Sequence, residues 1–222
     1  MNKLLTNAAL AAVLAGGASA AQAELSANIG ATSNYVWRGV TQTNDEAAIQ
    51  GGVDYSHDSG FYVGTWVSNV DFSDHELDVY GGYAGEAAGF GYDLGVIFYT
   101  YGSSDDLDFT ELAASGSWKF LTVGLNYTLD GDADDDMPFS EGDIYYYANA
   151  SFDLPEDFAI GFTLGSYDFD VPNSSTVDYN HFQVDLTKSA GEWGDFKFSV
   201  SKADEESGDD DTKAFVTWAK SF

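Results

Sequence analysis

Residues Asp211 to Phe222, DTKAFVTWAKSF, alternate along an extended chain and finish on an aromatic side chain. Counted back from the end, Lys220, Trp218, Val216 and Ala214 share one face, and Ser221, Ala219, Thr217, Phe215 and Lys213 share the other. Successive strand side chains point to opposite sides, so the first face suits lipid and the second suits water. Lys220 lies near the strand end, where its long stem can lead the ammonium to an interface.

The same two-faced pattern recurs towards the amino terminus. Twelve strand candidates cover residues 24–38, 47–56, 61–70, 76–84, 90–101, 108–118, 120–129, 143–153, 158–169, 177–188, 194–202 and 212–222. In the seventh, Leu121, Val123, Leu125, Tyr127 and Leu129 interleave with Thr122, Gly124, Asn126 and Thr128; in the eleventh, Phe196, Phe198 and Val200 interleave with Lys197, Ser199 and Ser201. The sixth is ambiguous. Strands of about ten residues suit a tilted membrane crossing, and no segment after the amino terminus approaches the roughly twenty apolar residues of a membrane helix.

The connections separate a membrane barrel from a soluble one. Odd-to-even joints are long and acidic, around Asn44 to Glu46, Asp71 to Glu76, Gly102 to Asp106, Asp130 to Gly142, Asp170 to Thr176 and Ala203 to Asp211. Even-to-odd joints are short: His57 to Gly60, Gly85 to Gly89, Lys119-Phe120, Leu154 to Asp157 and Ser189 to Trp193. Long loops on one rim and tight turns on the other are the asymmetry of an outer-membrane barrel. A soluble ligand-binding barrel would need its apolar face inside and usually closes with fewer strands. The expectation is an all-β fold: one up-and-down antiparallel transmembrane β-barrel of about 12 strands over residues 24–222. Residues 1–23 read as a cleaved signal peptide, with Lys3, an apolar run from Leu4 to Ala18 and Ala21-Gln22-Ala23 before Glu24. This predicts export through the periplasm to a Gram-negative outer membrane.

Composition agrees. The chain has no cysteine, 24 glycines, 16% aromatic residues, and prolines only at 138, 155 and 172, between candidate strands where a missing N–H is harmless. A formal charge of −29 disfavours nucleic acid as a partner and favours cations or a cationic surface. Tyr35, Trp37, Trp66, Tyr92, Phe98, Tyr127, Tyr146, Phe152, Trp193 and Trp218 mostly fall near strand ends, where amphipathic rings settle at a membrane interface.

With the polar alternates turned inward, the pore lining is predicted to hold Asn34, Gln50, Asp54, Tyr62, Asp78, Tyr80, Asp93, Tyr145, Tyr147, Asn149, His181, Gln183 and Asp185, with Arg38, Lys197 and Lys213 as positive members. Arg38, the single arginine, is expected to pair with a carboxylate such as Asp54. Twelve strands lie between barrels filled by side chains and barrels with an aqueous pore, so the inner tyrosines could plug the lumen. The acidic rim would concentrate cations over the mouth, less so at high salt.

Two local motifs suggest chemistry. Asp130, Asp132 and Asp134, with Glu141 at the twelfth position, have the spacing of a calcium loop. Asp135 replaces the required glycine and Pro138 interrupts the loop, so a hydrated loop with loose calcium binding is expected. His57-Asp58-Ser59 has the spacing with which outer-membrane phospholipases pair base and nucleophile. It falls in a tight turn, where these residues are favoured for backbone reasons. No Gly-rich phosphate loop is present and no catalysis or cofactor is expected.

Ser33-Asn34-Tyr35-Val36-Trp37-Arg38-Gly39-Val40-Thr41-Gln42-Thr43, Gln50-Gly51-Gly52-Val53-Asp54-Tyr55, Gly60-Phe61-Tyr62-Val63-Gly64-Thr65-Trp66 and Glu76-Leu77-Asp78-Val79-Tyr80-Gly81-Gly82-Tyr83 resemble the TorF family of porins. The resemblance covers nearly all of residues 24–222. It implies an outer-membrane barrel with a porin-like role and carries no catalytic residues. The expected function is passive diffusion of small polar or cationic solutes. The alternative is a closed barrel whose acidic loops bridge through divalent cations to lipopolysaccharide or another cell. Outer-membrane lipid is the expected surrounding, and the strand ending in Phe222 the expected contact for the barrel-assembly machinery.

Overall fold

The computed structural model describes residues 24–133, 137–170 and 178–222. The strands are β1 (Glu24–Thr32), β2 (Val36–Trp37), β3 (Val40–Thr41), β4 (Ala48–Ser56), β5 (Phe61–Ser68), β6 (Glu76–Ala87), β7 (Phe90–Tyr101), β8 (Phe109–Trp118), β9 (Leu121–Gly131), β10 (Ile144–Leu154), β11 (Phe158–Asp168), β12 (Tyr179–Ser189), β13 (Asp195–Ala203) and β14 (Lys213–Ser221). β1 and β4 to β14 form a closed antiparallel barrel of twelve strands in chain order, and β2 and β3 make a separate two-stranded hairpin. Closure pairs β1 with β14, from Asn28 opposite Ser221 to Thr32 opposite Thr217.

Alternation has a physical cause here. Outward positions such as Leu94, Phe98, Val123, Leu164, Phe182 and Val216 stand exposed around the wall, while the inward alternates include buried Asp93, Asn126, Thr128, Asp185, Ser199 and Thr217. This is the arrangement of an apolar solvent outside and polar groups inside. The ambiguous strand is β8, whose outward face is only Thr110, Leu112, Ala114, Gly116 and Trp118 and whose pairing with β9 shifts register between Thr110 and Glu111.

The first strand departs from the reading 24–38. β1 stops at Thr32, whose Oγ1 donates to the Asn34 carbonyl at 2.7 Å. Asn34 then ties the loop neck, donating to Asp45 Oδ1 and accepting from Thr41 Oγ1, both at 2.7 Å. Residues 36–41 therefore turn inward as the β2–β3 hairpin. Its turn is Arg38-Gly39, with φ of 47° and 90°, the positive angles a type I′ hairpin requires.

Candidate functional site

The inward hairpin divides the lumen. On the loop side, Trp37 packs against Tyr99, Phe109, Phe139 and Tyr167, with ring centroids 5.8 to 6.4 Å away. Tyr35 contacts Trp66 edge-on at 5.5 Å and donates to buried Glu76 at 3.1 Å. Tyr35, Trp37 and Trp66 were expected at a lipid interface. They lie inside the barrel, with Tyr35 and Trp66 buried, because the chain bearing the first two folds inward and Trp66 shares the face of Tyr62. Tyr92, Tyr146, Phe152 and Trp193 are exposed.

Arg38 sits at the hairpin tip and pairs with Glu111, not with Asp54. Its Nη1 and Nη2 donate to Glu111 Oε1 and Oε2 at 2.7 and 2.6 Å, a bidentate fork, and Nη1 also donates to the Tyr167 hydroxyl at 3.0 Å. The guanidinium lies over the rings of Trp37 and Tyr145, 4.1 and 4.3 Å from their centroids. Glu111 has no exposed area and accepts further bonds from Tyr99 and Asn126. Tyr179 anchors the turn by donating to the Arg38 carbonyl at 3.0 Å. A charge-assisted fork of this kind is a strong fixed contact, and it outweighs the left-handed conformation of a non-glycine residue, which costs about 1 to 3 kcal/mol. His181 packs beneath Gly39, where an added Cβ would lie 2.5 Å from the histidine Cβ. It also shares a 2.8 Å hydrogen bond with Tyr145.

The rim holds the hairpin a second time. Lys213 bridges Asp45 at 3.1 Å and Asp209 at 2.6 Å, and Asp209 also accepts from the Thr41 backbone N–H at 2.9 Å. Nearby, Asp143 accepts from the N–H groups of Phe139 and Asp170, joining two loops. Burial pushes its carboxyl above the ordinary range despite those donors.

On the turn side lies a cavity of about 240 Å³, lined by the hairpin and by Gln50, Tyr62, Tyr80, Asp93, Tyr145, Tyr147, Asn149, His181, Gln183, Asp185 and Lys197 among others. Asn34 and Arg38 border it as well. Asp54 stands behind the cavity lining, accepting from Tyr80 and Asn28. Asp78 is fully buried, directly opposite Trp66 on β5 and Tyr99 on β7, with neither carboxylate oxygen hydrogen-bonded among the described residues. Lys213 serves the rim. Glu76, Glu111 and Asn126 are inward groups that the sequence reading missed.

The tyrosines line this cavity because glycines let their rings lie along the wall. A Cβ on Gly95 would come 2.6 Å from the Tyr62 hydroxyl, and one on Gly64 would come 2.5 Å from the Tyr80 ring. Gly124 similarly underlies Tyr147. Gly95→Val is accordingly expected to lift Tyr62 from Asp93 into the lumen and lower conductance, and adding Tyr62→Ala should restore it. Planar-bilayer recordings of both variants check this.

The remaining motifs are peripheral. Asp130, Asp132 and Glu141 are exposed on the loop side and Asp134 lies outside the described residues; among the described residues no cluster of three or more potential ligands is placed to hold a metal. In the turn before β5, His57 Nδ1 meets Ser59 Oγ at 2.8 Å but also accepts the Ser59 backbone N–H at 3.2 Å. The nitrogen a base would need is thus engaged in holding the turn.

The model of a family described as a bacterial protein of unknown function (Gcw_chp) matches residues 15–220, and the chain belongs to that family. No individual curated protein matches the chain by sequence. Among solved structures, the KdgM porin is similar at a TM-score of 0.58 and 13% identity, over 89% of this chain and 98% of its own. A KdgM porin in complex with disordered oligogalacturonate gives 0.57 and 11%, over 89% and 97%. The Acinetobacter baumannii outer membrane protein Omp33 gives 0.54 and 9%, over 90% and 97%. The shared feature is a barrel fold of outer-membrane porins.

Proposed function

We propose that the protein is an outer-membrane channel of porin type that passes small polar or cationic solutes by diffusion, through a lumen narrowed by the β2–β3 hairpin. The observation that carries this reading is the tyrosine-walled cavity within a closed barrel whose outer face is apolar. The fold shared with KdgM and Omp33 and the resemblance to the TorF family support the same reading. Acidic loops favour cations at the mouth, and no catalytic role is proposed. Stepwise, cation-selective conductance of the refolded chain in a planar bilayer under a salt gradient is the expected result. A correctly inserted, heat-modifiable barrel without conductance overturns the channel.

One observation favours a second reading, a sealed barrel of structural or surface-interaction type. The aromatic layer around Trp37 and the Arg38–Glu111 fork occupy the loop half of the lumen. The same recording separates the two, because a sealed barrel stays silent at every voltage.

A further inference from the structure

We propose that the turn-side cavity is a subsite for small primary alkylammonium ions, with Asp93 receiving the ammonium and the rings of Tyr62, Tyr80 and Tyr147 receiving its methylene groups. The proposal rests on the channel reading for its purpose but not for its chemistry, since a cavity inside the barrel can take up a guest whether or not that guest passes through.

Three observations meet at this wall. Asp93 is 8% exposed and lines the cavity; Tyr62 donates to its Oδ1 at 3.0 Å, while Oδ2 has no hydrogen-bond partner among the described residues. Asn149 lines the same cavity, and its Oδ1 is likewise unpartnered among the described residues. Both oxygens are closed to solvent, so a guest reaches them as the Asp93 and Asn149 side chains turn towards the cavity. Both are acceptors, the complement they lack is a donor, and a carboxylate is best matched by a cationic one. The three tyrosines are only half-buried and lie along the wall over glycines, which leaves ring faces turned towards the cavity. Ring faces attract a cation and accommodate alkyl groups. Asp54 fixes the Tyr80 ring by accepting its hydroxyl proton. The volume of about 240 Å³ lies below the roughly 300–1,000 Å³ of drug-sized pockets, which restricts the guest to a small amine.

The test uses the full refolded barrel in detergent, titrated calorimetrically with n-butylammonium chloride, n-butanol and sodium butyrate. Saturable binding of butylammonium in the millimolar range is expected, with butanol at least tenfold weaker and butyrate silent. Asp93→Asn should weaken butylammonium binding at least tenfold while leaving butanol binding and heat-modifiability unchanged. Equal binding of the three probes to the parent chain, or undiminished butylammonium binding by the Asp93→Asn barrel, overturns the subsite; the probe comparison needs no variant to fold. A barrel that binds butylammonium but never conducts refutes the channel and keeps the subsite. A conducting barrel with no butylammonium binding does the reverse.

Discussion

Arg38→Ala is expected to raise single-channel conductance severalfold and to lower the temperature at which the heat-modifiable band is lost. The substitution leaves Glu111, which has no exposed area, without its cationic partner. Removing one member of a buried pair costs about 3 to 5 kcal/mol, because the remaining charge is uncompensated. Tyr99, Tyr167 and Asn126 remain as neutral donors to that carboxylate, and they offset part of the loss. The hairpin also loses the cation stacked between Trp37 and Tyr145. Two responses remain: the hairpin stays and the full cost appears as instability, or it leaves the lumen and water reaches Glu111. The second widens the pore. Arg38→Ala with Glu111→Met removes both charges and should recover much of the stability, since a buried pair is often replaceable by apolar groups. With the parent chain and Glu111→Met alone, these variants form a double-mutant cycle that isolates the pair. Conductance and heat stability unchanged in Arg38→Ala would show that the fork does not hold the hairpin.

Leu94→Arg is expected to destabilise the folded barrel in lipid vesicles by about 2 to 4 kcal/mol, the cost of a guanidinium on the lipid face at mid-depth. Leu94 is 54% exposed in the middle of β7, directly beside inward Asp93. The same substitution at Leu121, the first residue of β9 beside a turn, should cost only about 0 to 1 kcal/mol, because the side chain reaches the interface. Urea titration of vesicle-inserted protein measures both. Equal effects at the two positions would mean that the outer face meets water, as in a soluble barrel.

The wall was legible because two different solvents act on alternate residues, so period-two patterning survives wherever both faces are distinct. It failed at β8, where small outward residues and a register shift erase the contrast, and Glu111 was lost with it. Residues 35–38 looked like more strand because Tyr35-Val36-Trp37-Arg38 alternates equally well, whichever way the chain turns. Trp66 carries a usable signal: it stands four residues from Tyr62, hence on the same face, and the polar alternation already places Tyr62 inward. The partner of Arg38 could not be read at all, since 73 residues separate it from Glu111 and only closure of the barrel brings them together.

That closure has a consequence for how the chain comes apart. Every other wall pairing joins strands consecutive along the chain once the β2–β3 hairpin is set aside, but β1 meets β14 across almost the entire chain, through five residue pairs against nine between β1 and β4. Reciprocal backbone bonds between Ala27 and Phe222 extend the seam by one step. Opening it would present two rows of unbonded N–H and C=O groups to hydrocarbon, where each costs several kcal/mol. A partly unzipped barrel is thus worse than either end state inside a bilayer, and unfolding there should proceed in a single cooperative event, with the shortest seam setting its threshold.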